Sequence, residues 1–342
     1  MVSAGRCQRT KARKGETDAE GWILSLRRAA LARNASAPTI LGQSVKTIAQ
    51  VAGAGSFPSV PVSAPALRIL SDFHYTDPAS WVERLDEVKP LLDGVGRVVM
   101  NGDTLDTQVR DNPQEIVGEV KRFFAQHSAD TCFLAGNHDP DISASDELSL
   151  GGGLIWVTHG HVFFDDIAPW SRLVPEIRRR IRTQAAAFPM ADIQQLETRF
   201  RLYRQICLKL PREHDPNQRG TWAKLQRAFY ALFPPHQTLG MLRAWRSFPE
   251  IVFRVAKEQR ATARVIITGH THHPGVWRAP DGRILINTGS FTPPRGGRLV
   301  DVMSDRLIIR RIVRRGGEFR PGSTVTEIAL APTGTSSLSA SP

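Results

Sequence analysis

The stretch TCFLAGNHDP, residues 131–140, joins a short apolar run directly to a glycine and three polar residues. A hairpin turn needs only Asn-Gly or Asp-Gly, so it does not explain Gly136-Asn137-His138-Asp139. Similar junctions recur along the chain: LRIL before SDFH, RVVM before NGD, LIWV before THGH and RVII before TGHTHH. Because these runs are too short for helices and are rich in β-branched residues, they predict buried strands.

The segments between the runs have helical periodicity, notably residues 81–92 and 113–126. Strands that alternate with helices predict an α/β fold whose polar junctions meet at the carboxyl ends of the strands. We expect this domain to span residues 67–325. Basic amphipathic segments between Pro/Gly turns predict a helical insertion or lid at about 170–260.

Composition and charge describe the rest of the chain. The chain has 342 residues and a net charge of +12, which is unevenly distributed. Residues 67–169 carry 18 acidic and 7 basic side chains, whereas residues 170–260 carry 7 acidic and 18 basic side chains. The composition of the two ends, which are rich in small residues and proline, predicts a basic, largely disordered leader at residues 1–66 and a disordered tail at residues 326–342. No apolar run approaches the roughly 18 residues of a membrane span, and three cysteines without CxxC spacing fit a reducing compartment. We therefore expect a cytoplasmic protein.

The polar junctions offer metal ligands. They are Asp72-x-His74, Gly102-Asp103-x-x-Asp106, Gly136-Asn137-His138-Asp139, His159-Gly160-His161 and Gly269-His270-x-His272-His273. Each pattern is weak alone, but five in succession, each after a predicted strand, indicate one site. Histidine, aspartate and asparagine suit Mn²⁺, Fe, Zn²⁺ or Mg²⁺, and seven such ligands can hold two cations if a carboxylate bridges them.

These motifs resemble the calcineurin-like metallophosphoesterase superfamily, whose signature is DxH, GDxxD, GNH[DE], HG and GHxH. The resemblance implies a four-layer αββα sandwich of two mixed sheets and two divalent metal ions, with Mn²⁺ as the first expectation. It implies that one metal is held by Asp72, His74, Asp103 and His272. It implies that the other is held by Asp103, Asn137, His159 and His270.

The resemblance also implies catalytic roles. A metal-bridging hydroxide would attack phosphorus, His138 would contact the scissile phosphate and help protonate the leaving group, and Asp106 would orient its imidazole. We interpret Asp139 as a brace of its loop and His273 as a plain loop residue. For His161, lining the cleft and supporting the ligands remain open alternatives.

The substrate is less defined. The helical insertion resembles the lid of UDP-2,3-diacylglucosamine pyrophosphohydrolases, which implies a nucleotide-linked lipid substrate and contact with the inner face of the membrane. Arg172 and Arg246 are the candidates for substrate binding. However, those enzymes carry arginine in place of His138 and of His273, and the basic charge also fits a solvated helical face. A phosphodiesterase or nuclease acting on nucleotides or nucleic acid, and a non-catalytic scaffold, are the alternatives.

Overall fold

A computed structural model describes residues 65–107, 112–128, 130–189, 192–211 and 235–330. The predicted leader up to residue 64, the part of the predicted helical insertion between residues 212 and 234, and the predicted tail from residue 331 lie outside these residues.

The described residues form eleven strands. They are β1 (Leu67–Leu70), β2 (Val98–Asn101), β3 (Thr131–Leu134), β4 (Glu147–Leu150), β5 (Ile155–Thr158), β6 (Val265–Thr268), β7 (Gly275–Arg278), β8 (Ile284–Asn287), β9 (Arg298–Val302), β10 (Arg306–Arg315) and β11 (Glu318–Ala329). The five apolar runs quoted above correspond to β1, β2, β3, β5 and β6, so those predictions are confirmed. The runs RILINTG and RLVDVMSDRLIIRRIV, at residues 283–289 and 298–313, also predict strands and correspond to β8, β9 and β10. The sequence did not predict β4, β7 or β11.

The strands form two mixed sheets. The first has the order β11-β10-β9-β1-β2-β3, with β1, β2 and β3 parallel and β9 to β11 antiparallel. The second has the order β4-β5-β6-β8-β7, with a parallel centre and antiparallel edges. Parallel strands end at the same edge of a sheet, so the loops after β1, β2 and β3 are neighbours, as are those after β5 and β6.

In the described part of the chain, four α-helices accompany the sheets: α1 (Pro113–His127), α2 (Val174–Ala185), α3 (Leu196–Cys207) and α4 (Pro235–Gln259). The segment 81–92, which we expected to be helical, contains a 3₁₀ helix at Leu85–Leu91. Pro90 lies inside it, and because proline has no N–H to donate, a regular α-helix is disfavoured there.

Three apolar clusters separate four layers. Side chains such as Ile69, Val99, Ile267 and Ile286 fill the space between the two sheets. The 3₁₀ helix and α1 cover the outer face of the first sheet, and α2 to α4 cover the outer face of the second. The predicted αββα sandwich is therefore confirmed.

The region 170–260, where we expected a helical insertion or lid, contains α2, α3 and α4 in its described part. Phe200, Tyr203 and Phe248 are buried in one cluster with Trp156 and Ile266 of the second sheet. Because β5 and β6 are buried on both faces, the sheet needs a helical cover on this side. The described part of the region is thus the outer helical layer of the domain.

The carboxyl end of the domain also needs a correction. β11 continues past residue 325, where we expected the domain to end, and Thr326 and Ala329 pair with Ile309 and Arg306 of β10. Residues 326–329 therefore belong to the first sheet and not to a disordered tail. Within the described residues, no helix has the length and apolar character needed to cross a membrane.

Candidate metal centre

The predicted ligands follow the carboxyl ends of five parallel strands from both sheets. Asp72 and His74 follow β1, Asp103 follows β2, Asn137 follows β3, His159 follows β5, and His270 and His272 follow β6. Hydrogen bonds join these loops: the Asp72 amide donates to the Gly102 carbonyl at 3.1 Å, and the Gly269 amide donates to the His159 carbonyl at 2.9 Å. The sequence motifs therefore meet at one end of the two-sheet core.

The backbone at these positions is unusual. Five predicted ligands have positive φ angles, between 49° and 67°. They are Asp72, His74, Asp103, His270 and His272. Residues other than glycine rarely adopt this left-handed region, and such strain clusters at functional sites where the surrounding structure maintains it. The chain therefore turns sharply after each of these strands.

Two glycines leave room for the carboxylates. A Cβ atom at Gly136 would overlap Oδ1 of Asp103, and a Cβ atom at Gly269 would overlap Oδ2 of Asp72 and Oγ of Ser71. The glycine in each motif is thus required by the close approach of a neighbouring loop.

One group of potential ligands consists of Asp72, His74 and His272, whose ligand atoms all lie within 4.8 Å of one another. The Nε2 atoms of the two histidines are 3.0 Å apart, and Nε2 of His272 is 3.4 Å from Oδ1 of Asp72. Nδ1 of His272 lies 3.0 Å from the Thr292 hydroxyl, which orients the ring. Two imidazole nitrogens and a carboxylate oxygen that converge in this way suit a divalent cation.

A second group consists of Asp103, His159 and His270. Nε2 of His159 is 3.1 Å from Oδ2 of Asp103, and its Nδ1 donates to the Asn101 carbonyl at 3.0 Å. His270 donates from Nε2 to the Ile167 carbonyl at 2.8 Å, so its Nδ1 is the nitrogen left to accept. Backbone carbonyls commonly fix the tautomer of metal-binding histidines in this way.

Asn137 supports the fit of a cation to this site. Its side-chain oxygen is buried and has no hydrogen-bond partner within the part of the chain that the structure describes. A buried acceptor without a partner costs about 1–3 kcal/mol, so a ligand for this oxygen is expected. The residues present therefore fit a metal centre.

The charge states of the histidines differ. Burial lowers the pKa of His74 to about 4 and that of His270 well below its ordinary value, so both are neutral near pH 7. Burial opposes the charged form of His159 too, but Asp103 and Asp72 outweigh it and raise its pKa to about 9. Burial raises the pKa of Asp103, yet His159 and His138 hold it well below its usual range.

His138 and Asp106 form a separate pair beside the ligands. Nδ1 of His138 lies 3.0 Å from Oδ2 of Asp106, and the His138 amide donates to Oδ1 of Asp103 at 2.9 Å. The His138 ring meets that of His74 edge to face at a centroid distance of 4.9 Å. The imidazole is thus held at the edge of the metal centre by a carboxylate.

Asp139 joins two of the motifs. Its buried carboxylate accepts hydrogen bonds from the amides of Gly136, Asp103 and Thr104 at 2.8, 2.9 and 2.7 Å. Burial, followed by repulsion from Asp103, raises its pKa to about 7. The interpretation of Asp139 as a brace agrees with this geometry.

His161 is buried beside the ligands and does not line an open cleft. Its ring centroid lies 5.7 Å from that of His159 and 6.2 Å from that of His270. Burial lowers its pKa to about 3, so it is neutral at ordinary pH. Of the two alternatives left open above, support of the ligands is the one that this burial favours.

Sequence reasoning missed the contribution of the helical layer. Trp245 of α4 donates from Nε1 to the Thr271 carbonyl at 2.8 Å and stacks on His273 at 4.7 Å. Trp170 lies 5.0 Å from the His270 ring. Aromatic residues at helical spacing indicate packing, and nothing in the spacing shows which loop they contact. Arg172 and Arg246 are exposed, and substrate binding by them remains a prediction.

The family model described as calcineurin-like phosphoesterase matches residues 67–274, which is more than half of the chain. The chain belongs to this family. The match begins at the first residue of β1 and ends just after the GHxH motif, so it contains all seven predicted ligands of the phosphoesterase.

Several solved structures are similar to the phosphoesterase. A predicted phosphoesterase from Streptococcus pneumoniae is 16% identical, with a TM-score of 0.35, over 78% of this chain and 98% of its own. A dimetal phosphatase from Danio rerio is 15% identical, with a TM-score of 0.38, over 75% of this chain and 98% of its own. Vacuolar protein sorting 29 from Cryptosporidium parvum is 14% identical, with a TM-score of 0.36, over 77% and 97%. No curated protein matches the sequence.

Proposed function

We propose that this phosphoesterase hydrolyses phosphate ester or pyrophosphate bonds with two divalent cations, Mn²⁺ being the first choice. The observation that carries the proposal is the convergence of six predicted ligands into two adjacent groups, because Oδ2 of Asp103 in the second group lies 3.7 Å from Nε2 of His74 in the first. One cation would be held by Asp72, His74, Asp103 and His272. The other would be held by Asp103, Asn137, His159 and His270.

When bound, the cations supply Lewis acidity, which lowers the pKa of water and neutralises charge on phosphate oxygens. The protein's own residues prepare the site for this. Carbonyl oxygens of Asn101 and Ile167 fix the tautomers of His159 and His270. Asp139 holds the loops of Asp103 and Asn137 together through three backbone amides.

We assign to His138 the transfer of a proton to the leaving-group oxygen. Asp106 accepts from Nδ1 of the imidazole, which orients the ring and stabilises its protonated form. The His138 amide also donates to Asp103, so the ring position is tied to the ligand that the two groups share. The alternative of a non-catalytic scaffold is less well supported, because a scaffold would not need the metal ligands and His138, and all of them are present in this chain.

Contact with an anionic lipid surface is a further part of the proposal. Among the described residues, the exposed large hydrophobic side chains are Leu208, Leu239 and Leu242, all in the outer helical layer. Leu239 and Leu242 lie on α4 with the exposed residues Arg243 and Arg246. Exposed leucines beside arginines favour binding to an anionic membrane surface.

The arginines of α2 contribute less to such a surface. Arg178 pairs with Asp166 at 2.8 Å, and Arg179 and Arg180 both pair with Glu176 at 2.6 Å. Because two carboxylates offset two of these three positive charges, α4 is the better candidate for contact with lipid.

The test is hydrolysis of bis-p-nitrophenyl phosphate by metal-stripped protein to which Mn²⁺ is returned. We expect turnover to depend on Mn²⁺ and to be lost in Asp103→Asn, which leaves both ligand groups without their shared carboxylate. Asp305→Asn, at an exposed position after β9, is the matched control. Protein that binds Mn²⁺ but shows no turnover, or an active Asp103→Asn variant, would contradict the proposal.

A further inference from the structure

Three arginines and a histidine lie together beside the metal centre. Arg298 and Arg311 are direct partners across the antiparallel pair β9–β10. Like charges at such positions repel and destabilise a sheet. Burial, followed by repulsion from Arg311, lowers the pKa of the half-buried Arg298. The fold therefore holds two positively charged guanidinium groups close together, which costs stability.

Neighbouring arginines have carboxylate partners, whereas these do not. Arg310 pairs with Asp301 at 3.3 Å, and Arg314 pairs with Glu87 at 3.3 Å. Within the described ranges, neither Arg298 nor Arg311 forms an ion pair, and Arg295 forms none either. The charge of the cluster is thus not compensated by these parts of the protein.

The register places this cluster at the metal end of the first sheet. Ile69 pairs with Val300 in the antiparallel pair β1–β9, so the start of β9 lies next to the end of β1, where Asp72 follows. The Arg298 amide donates to the Thr288 carbonyl at 2.6 Å, and the Thr288 hydroxyl lies 2.5 Å from that of Ser71. Arg298 therefore begins its strand at the edge where the ligands converge.

Arg295 approaches the same place from the loop before β9. Its guanidinium lies over the Trp245 ring at 4.7 Å, and Trp245 stacks on His273 with an interplanar angle of 19°. Burial, followed by Arg295 and Arg298, lowers the pKa of His273. Both arginines are thus close enough to His273, the residue that follows the predicted ligand His272, to disfavour its protonated form electrostatically.

We propose that Arg295, Arg298 and Arg311 form an anion subsite that binds a second phosphate group of the substrate, beside the phosphate that is cleaved. This inference rests on the proposed function and narrows its substrate class to compounds with two linked phosphates, such as nucleoside diphosphate esters. Guanidinium groups suit phosphate oxygens because their donors form a planar fork. A bound anion would also relieve the repulsion between Arg298 and Arg311.

The test compares two substrates in the Mn²⁺-loaded protein: UDP-glucose, which has two phosphates, and bis-p-nitrophenyl phosphate, which has one. In Arg298→Gln, the ratio of kcat/KM for UDP-glucose to that for bis-p-nitrophenyl phosphate should fall by about tenfold or more, mainly through KM. Arg298→Lys should recover part of this loss. Arg306→Gln, which removes the same charge at the far end of β10, should leave the ratio unchanged.

If UDP-glucose is not turned over, its inhibition constant against bis-p-nitrophenyl phosphate replaces KM and should rise by the same factor. An unchanged ratio or inhibition constant in Arg298→Gln, with hydrolysis of bis-p-nitrophenyl phosphate present in the wild type, overturns the subsite and leaves the proposed function standing. Absence of that hydrolysis in the wild type contradicts the proposed function. In that case the subsite is tested by calorimetric titration with UDP-glucose. Binding that is weakened by Arg298→Gln but not by Arg306→Gln would support the subsite without supporting the proposed function.

Thermal unfolding separates binding from a structural role. Because Arg298 and Arg311 repel each other, Arg298→Gln and Arg311→Gln should each keep or raise the Tm of the protein. A fall in Tm in both variants would show that the arginines stabilise the fold and would overturn the subsite.

Discussion

Trp245 donates a hydrogen bond from its indole Nε1 to the carbonyl oxygen of Thr271, at 2.8 Å. Thr271 lies between the predicted ligands His270 and His272, whereas Trp245 belongs to α4 in the outer helical layer. The other face of this loop is held by Asn287, whose side-chain amide donates to the Gly269 carbonyl at 2.6 Å. The loop after β6 is therefore fixed from two sides.

Replacing Trp245 with phenylalanine should weaken metal binding. The variant keeps an aromatic ring against His273 but removes the N–H group, so the loop with His270 and His272 loses one restraint. Groups that orient metal ligands typically contribute about tenfold or more to affinity. We expect a fall of about tenfold in Mn²⁺ affinity, measured by titration calorimetry on metal-stripped protein. Trp277→Phe, at a ring that lies 5.9 Å from that of His273, should have no such effect, and equal affinities of wild type and Trp245→Phe would refute the role of Trp245.

Replacing Asp106 with asparagine should lower kcat without reducing the amount of bound metal. The variant removes the carboxylate that stabilises protonated His138, and general acid catalysis contributes about a hundredfold or more. The loss should be larger for substrates with alkoxide leaving groups than for those with p-nitrophenolate, because alkoxides depend more on protonation. Metal content by elemental analysis and kcat for both substrate types test this. Equal losses for both leaving groups would argue against His138 as the acid.

The sequence predicts the strands and the loops that follow them because each ligand lies within a few residues of an apolar run. The same reasoning could not assign Trp245, because helical spacing shows which face of α4 is apolar but not which loop it packs against. Ile167 illustrates the same limit. Its carbonyl orients His270 from over a hundred residues away, at a φ of 61° that no local pattern indicates. Contacts of this kind arise from tertiary packing and were therefore seen only in the structure.

Alanine at position 269 should disrupt the metal centre. A Cβ atom there would overlap the Asp72 carboxylate and the Ser71 hydroxyl, so the loop after β6 must move. Overpacking of this kind costs about 1–3 kcal/mol. We expect a lower free energy of unfolding and loss of Mn²⁺ binding. Gly118→Ala in α1 is the control, since there the added methyl meets only the flexible Arg122 side chain and favours the helix. Normal metal binding by the Gly269 variant would show that the loop adapts.

Vesicles that contain phosphatidylglycerol should bind the protein through α4. Leu239 is 62% exposed and Leu242 is 46% exposed, and both lie near Arg243 and Arg246. Replacing both leucines with glutamine should lower the fraction that cosediments with anionic vesicles, and high salt should lower it as well. Arg178→Gln is the control, because that arginine is paired with Asp166. Binding that is equal for neutral and anionic vesicles would exclude the electrostatic part of this contact.

Metal binding at His159 should release a proton near neutral pH. In the metal-free protein, Asp103 and Asp72 overcome the effect of burial and raise the pKa of His159 from 6.5 to about 9. Its ion pair with Asp103 therefore stabilises the metal-free fold fully below pH 6.5, and this contribution is lost as the pH rises through about 9. A cation needs the lone pair of Nε2, the atom that lies 3.1 Å from Oδ2 of Asp103, so binding must displace this proton.

Mn²⁺ affinity should consequently increase as the pH rises towards about 9 and level off above that value. Calorimetric titration in two buffers with different ionisation enthalpies measures the protons released, and we expect about one more in the wild type than in His159→Gln. The additional proton comes from His159, because His74 and His270 are already neutral near pH 7 and have no proton to lose. Equal proton release in both proteins, or an affinity that does not change with pH, would show that His159 is neutral before the metal binds.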